Sequence, residues 1–311
     1  NVEITERGAV EIQGETIGYD LNAIDARSNG ERERDARRGR PEGNIVVVVP
    51  GHGQGIHGPR KLLANAALLS RSKVAWCIDP TPAEGGDRTE AQAIARVVRE
   101  RVSTTVPASE ERIAATLIGW SHGGSEALRA ADFAPDLFPQ YLGLCPSGLV
   151  NRQPLELLYS FSLEAARILW VSLRGRDWTC FLDTLRLGWN AAAGLVRDLW
   201  RSKSPRRLIE DVGWAGAKVP GRHFGYDGEV VLLLGAQDTV VRWQDAFPDC
   251  FRPQDVSTLP AENQRENFPS ASRVEVRVIE GSHVAPEADA PSFLQVGLGL
   301  LGQLDERVNS L

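Results

Sequence analysis

Ile118-Gly119-Trp120-Ser121-His122-Gly123-Gly124 is the stretch on which the reading of this chain turns. An apolar run at 113–117 precedes it and a helical pattern follows, so it reads as strand, sharp turn and helix with the spacing G-x-S-x-G. That spacing has a mechanical reason. A serine on a strained turn displays its hydroxyl above a sheet, and small residues two before and two after let strand and helix approach closely. The helix that opens there also places Ser121 in the positive field of its amino end, where a developing oxyanion is stabilised. Taken alone, the pentapeptide is equally compatible with an ordinary glycine-rich turn, so the rest of the chain has to decide.

The 311 residues suffice for a large core and fit one α/β domain with an inserted lobe better than two equal domains. Hydrophobic residues make up 42% and charged residues 24%, as in ordinary globular proteins. A formal charge of −6 and a pI near 5.5 argue against a general nucleic-acid binder. No apolar run approaches the ~18 residues of a membrane span. Cys77, Cys145, Cys180 and Cys250 form no C-x-x-C pair and no metal-ligand spacing, and Cys77 and Cys145 fall in or beside core strands. A reduced, cytoplasmic protein without a bound metal is the expectation. A chain that begins at Asn1 and holds no methionine leaves a removed leader as the other reading.

In order, 9–13 and 15–21 straddle Gly14 and predict a β-hairpin. Residues 25–43 have no apolar face and read as a solvated loop, with an anion-binding arginine cluster as the lesser alternative. Strands follow at 44–49, 74–79 and 140–145, with helices at 60–70 and 90–102 between them, the pattern of a mostly parallel sheet flanked by helices. From 151 to 222 the alternation stops. Leu158, Phe161, Ala165, Ile168 and Val171 recur at helical spacing, as do Leu182, Leu185, Trp189, Ala192, Val196 and Leu199. Strands resume at 229–234 and 274–279, and a last helix covers about 290–304. The expected organisation is thus a core in two parts, 1–150 and 223–311, interrupted by a helical insert at 151–222.

Two features compete to explain the glycines. Gly53-x-Gly55-x-x-Gly58 follows a strand, opens a helix and has Asp79 at the end of the next strand, which fits a dinucleotide fingerprint. That reading leaves Ser121 unexplained, and with it Asp238 just past the strand at 229–234 and His283 just past the strand at 274–279. All three fall at one sheet edge in the order Ser, Asp, His. Of the five histidines, His52 and His57 lie in the glycine loop, His122 in the elbow helix and His223 ahead of the acid's strand. Only His283 follows the last strand.

On these motifs, from about residue 44 to the carboxyl end, the chain resembles the α/β-hydrolase superfamily. G-W-S-H-G-G, L-L-L-G-A-Q-D and E-G-S-H are similar to its nucleophile, acid and base segments, and V-V-V-P-G-H-G to its oxyanion loop, with Pro50 where the family often has histidine. The resemblance implies Ser121, Asp238 and His283 as a catalytic triad. It implies an oxyanion hole from the backbone amides of His122 and His52, with Gln54 the alternative, and a helical lid in the insert. It also implies cleavage of an ester, thioester or related acyl bond of a small-molecule substrate without metal or organic cofactor. Serine rather than aspartate at the elbow argues against an alkyl-enzyme route. Acyl transfer to another acceptor, or ligand sensing with weak turnover, would use the same residues, and fold does not choose between them. The insert carries Trp170, Trp178, Trp189, Trp200 and Trp214 of the chain's 8 tryptophans, so a bulky, largely apolar substrate is expected, with Trp120, Trp170, Trp178 and Trp189 as candidate contacts. The basic group Arg197, Arg201, Lys203, Arg206 and Arg207 would favour an anionic one if it faced the entrance.

Overall fold

A computed structural model describes residues 2–38, 43–51, 54–81, 87–105, 114–149, 153–202, 225–246 and 268–307. Its centre, among the described residues, is a sheet of eight strands in the spatial order 2–12, 15–25, 74–80, 45–49, 115–120, 140–144, 229–235 and 273–279. Strand β1 (Val2–Ile12) and β2 (Glu15–Asp25) form the expected hairpin, longer at both ends, turning on Gln13 at φ 52° and Gly14 at φ 88°. Two consecutive positive φ angles match the twist of a hairpin turn. Strand β2 runs antiparallel to β4 (Val74–Pro80); β4, β3 (Ile45–Val49), β5 (Ala115–Trp120), β6 (Gln140–Leu144), β7 (Glu229–Gly235) and β8 (Arg273–Ile279) run parallel.

Unbroken β-branched and leucine runs can be buried on both faces, and the sheet uses them so. Ile45, Val47 and Val49 pack toward one face, where α3 (Asp87–Thr105) and α4 (His122–Phe133) lie. Val46 and Val48 point to the other, covered by α2 (Arg60–Leu69) and by a carboxyl-terminal helix at Ala290–Leu300. Two long helices, α5 (Pro154–Gly175) and α6 (Trp178–Ser202), follow β6, and among the described residues of the insert there is no strand. Shorter helices at Trp243–Ala246 (α7) and Ala285–Ala288 (α8) follow β7 and β8; the carboxyl-terminal helix is α9. Among the described residues no helix is long and apolar enough to cross a membrane.

One expectation needs correction. Within 25–43, read as a solvated loop, Asn29–Arg38 is a helix, α1. It lacks an apolar face, as the composition says, but polar contacts fix it. Ser28 and Glu31 exchange backbone-to-side-chain hydrogen bonds at 2.7 and 3.3 Å, a capping box at its start. Arg27 bridges Asp25 and the buried Asp35, and Glu31 pairs with Lys73 and Arg307; the Ser28 N–H first, then Lys73 and Arg307, hold the Glu31 carboxyl well below the usual range.

Candidate active site

Strand β5 delivers Ser121 into a backbone conformation, φ 55° and ψ −124°, that only its surroundings can impose. A non-glycine residue there costs about 1–3 kcal/mol of local strain. Tethers hold it: the Ser121 N–H donates to the Leu144 carbonyl at 3.1 Å, and the Ser121 carbonyl accepts from Gly124 at 2.9 Å and Ser147 at 2.8 Å. The flanking glycines are required for the close approach. A Cβ on Gly119 would sit 2.5 Å from the Gly123 carbonyl oxygen, and one on Gly123 would collide with the backbone of Val49 and Pro50.

The turns after β7 and β8 bring Asp238 and His283 to the same edge. Asp238 is 3% exposed; its Oδ1 accepts from the N–H groups of Val240 and Val241, 2.8 Å each, and its Oδ2 accepts from His283 Nδ1 at 2.9 Å. A carboxylate only accepts, so Nδ1 carries the proton and Nε2 is left to accept from Ser121 Oγ at 2.8 Å. Burial opposes charge on the His283 imidazole, but Asp238 and, behind it, Glu164 outweigh burial and raise its pKa. The Cys145 thiol, one residue past β6, comes within 4.8 Å of the Asp238 and His283 ligand atoms. Burial, reinforced by Asp238, pushes it well above the usual thiol range, so it remains a neutral thiol beside the pair. A cation at this group would compete for the Asp238 oxygen and His283 nitrogens already committed to one another and to Ser121.

The three residues singled out by motif are therefore brought together, whereas the other candidates divide. His122 opens α4, and its ring pairs with Glu126 at 3.0 Å. His52 and Gly53 lie outside the described residues. Gln54 is a poor alternative amide donor, because its N–H is already given to the Gly51 carbonyl at 3.1 Å. Trp120 is 3% exposed and donates its indole N–H to the His283 carbonyl at 3.1 Å, supporting the histidine from the core. Trp170, Trp178 and Trp189 are 60, 58 and 75% exposed; Arg174 lies over the Trp170 ring, and Trp178 meets Phe181 edge-on. Of the basic group, Lys203, Arg206 and Arg207 fall outside the described residues.

Several residues around the site carry no motif. Phe161 of α5 meets the His283 ring edge-on at 5.3 Å between centroids. Glu164, one turn further along α5, is 3% exposed and accepts from the His283 N–H at 2.5 Å and from the Thr239 N–H and hydroxyl at 3.0 and 2.9 Å. Glu287 of α8, fully buried, accepts from the first-turn amides of α2 at Lys61 and Leu62 and from Arg186 of α6. Phe161 had a sequence signal, its place in the helical apolar period; the two glutamates had none. Glu287 also removes the ground for the dinucleotide reading. The α2 amides that would receive a pyrophosphate are bonded to a buried carboxylate.

No protein-family model matches the sequence, and no curated protein matches it. Solved structures do. The chain is similar to an enol-lactonase from Burkholderia xenovorans LB400 at 11% identity and TM-score 0.57, covering 95% of this chain and 100% of that one. An esterase from Thermogutta terrifontis matches at 12% identity and TM-score 0.55, covering 95% and 98%. A peroxisomal alpha-beta-hydrolase from Saccharomyces cerevisiae matches at 12% identity and TM-score 0.55, covering 96% and 88%.

Proposed function

The chain has the α/β-hydrolase fold, and from that premise we propose that it is a serine hydrolase cleaving an ester, thioester or related acyl bond of a bulky, largely apolar small molecule. The observation that carries this is the hydrogen-bonded series Ser121 Oγ, His283 Nε2, His283 Nδ1 and Asp238 Oδ2, at 2.8 and 2.9 Å, with the serine on a strained turn. In this reading Ser121 Oγ attacks the substrate carbonyl carbon and its proton passes to His283 Nε2. Asp238 keeps the imidazole in the required tautomer and stabilises its cation. The tetrahedral oxygen accepts from the His122 backbone amide and from that of His52. His283 then returns the proton to the leaving group, and water, activated by the same imidazole, releases the acyl group from Ser121.

The insert at 151–222 acts as a lid in this proposal. Its support is Phe161 against His283 and the apolar side chains that α5 and α6 leave exposed, among them Leu155, Tyr159, Leu163 and Leu182. Aromatic side chains bury roughly 150–250 Å² each, so one or two facing a substrate would supply several kcal/mol of apolar binding. An ester panel from acetyl to long-chain should rise in kcat/KM with acyl size. The decisive test of the chemistry is labelling by a fluorophosphonate with mapping of the modified peptide. Label on Ser121, lost in a folded Ser121→Ala variant, is expected; label persisting in that variant, or found on another serine, refutes the assignment.

A further inference from the structure

A carboxylate from the insert reaches underneath the histidine. Glu164 sits on α5, yet both of its oxygens bond the core: Oε1 accepts from the backbone N–H of His283, and Oε2 from the N–H and hydroxyl of Thr239, the residue after Asp238. One side chain thus spans the turn that carries the acid and the turn that carries the imidazole. Both oxygens act as acceptors in a 3% exposed setting, the pattern of an ionised carboxylate. In the same helix Phe161, three residues earlier, touches the imidazole edge-on. Helical spacing of three puts both side chains on one face, so α5 meets His283 with an apolar contact on the ring and a charged one on the backbone.

Resting on the hydrolase reading of Ser121, we propose that Glu164 is a positioning residue for His283 that couples docking of the insert to the competence of the base. With α5 in place, Glu164 fixes the separation of the Asp238 and His283 turns and adds a second negative charge beside the imidazolium that forms as Ser121 loses its proton. With α5 displaced, the His283 and Thr239 amides lose their common acceptor, and the ring loses both Phe161 and the charge. Among the described residues, the ionisable groups facing the ring are Asp238 from the β7 turn, Glu164 from α5 and the neutral Cys145 thiol from the end of β6. Removing Glu164 therefore takes away one of the two anions that favour the charged imidazole.

The test uses the full chain with Glu164→Gln, which keeps the volume and one acceptor oxygen, and Thr239→Val, which removes the hydroxyl bond and leaves the charge. The rate of fluorophosphonate labelling at Ser121 is followed from acid to alkaline pH, and the low-field Nδ1 proton of His283 is titrated by NMR. Misplacing a catalytic group by about an ångström lowers rates by up to ~100-fold, so Glu164→Gln should label roughly 10- to 100-fold more slowly. Its acid limb and its imidazole titration should both move to lower pH. Thr239→Val should slow labelling less and leave the titration near that of the wild type. A merely structural glutamate would lower thermal stability without moving either midpoint. Labelling within about twofold of wild type, or unchanged midpoints in Glu164→Gln, overturns the proposal. The NMR arm does not depend on turnover. A wild-type protein that fails to label Ser121, while its His283 titration still responds to Glu164→Gln, would reject the hydrolase reading and keep the positioning role.

Discussion

Glu287→Ala should destabilise the fold by about 2–4 kcal/mol, and the structure shows where that figure comes from. The side chain is 1% exposed and receives bonds from Lys61 N–H at 3.1 Å, Leu62 N–H at 2.9 Å and Arg186 at 3.0 Å. The two amides belong to the first turn of α2, where no intrahelical acceptor exists. Leaving a buried donor unsatisfied costs about 1–3 kcal/mol, so two of them set the scale. The ion pair with Arg186 adds little, since that side chain is 34% exposed and water can take the place of its partner. One effect runs the other way: burial pushes the Glu287 carboxyl upward despite its donors, so removing it also relieves a desolvation penalty. Glu287→Gln should fall between, because its single carbonyl can accept from one amide while its NH2 faces the other. Denaturant unfolding measures this as a shift of midpoint at unchanged slope. If Glu287→Ala unfolds within about 0.5 kcal/mol of wild type, or if Arg186→Ala costs as much, the capping account of α2 is wrong.

Three further outcomes follow from the site. Asp238→Asn should keep the fold but lower kcat/KM on an ester about 10⁴-fold, since an amide no longer selects the Nδ1–H tautomer; a loss under tenfold would contradict the role given to it. The raised His283 pKa requires a sign: in the proposed mechanism the base works neutral, so kcat/KM should fall as pH drops through a value above about 6.5, the ordinary histidine value. An acid limb centred below that value would show that burial, not Asp238 and Glu164, dominates. Gly123→Ala should destabilise by about 1–3 kcal/mol or more, read as a drop in thermal midpoint, because the colliding atoms are the backbone of Val49 and Pro50 and cannot swing aside. A variant as stable as wild type would mean that the β3 loop yields.

What could be read from residues alone was whatever has a local signal. The inner parallel strands are continuous apolar runs such as 45–49 and 230–234, while β1, β2 and β8 alternate polar and apolar residues. Ser121 and Asp238 stand just past the ends of two such runs, and His283 just past the alternating strand 273–279, so parallel sheet topology brings the three to one edge. Glu164 and Glu287 were invisible for the opposite reason. Glu164 has partners 119 and 75 positions away and Glu287 has partners 226, 225 and 101 away, and such a glutamate looks like a solvated one until the tertiary contact is known. Helix α1 escaped for a related reason: capping and ion pairs hold it, and neither has an apolar period. Trp120 stands among the candidate substrate contacts, but its indole N–H bonds the carbonyl of a residue 163 positions on.

The insert has a further consequence, for how the chain assembles and varies. Strands β6 and β7 are parallel neighbours, yet the chain leaves β6 at Leu144 and rejoins the sheet only at Glu229. An ordinary crossover of a dozen or more residues would suffice to make that pairing. Closure entropy grows only logarithmically, about 0.6 kcal/mol per doubling, so the detour weakens the β6–β7 pairing by only ~1–2 kcal/mol against the shortest connection. Most of its length is taken up by two helices whose backbone bonds close locally, and these can form without waiting for the sheet. The register of β6 on β7 is therefore nearly indifferent to what is threaded between them. Away from Phe161 and Glu164, which contact the core, length and composition there can drift over generations while the strand ends stay where they are.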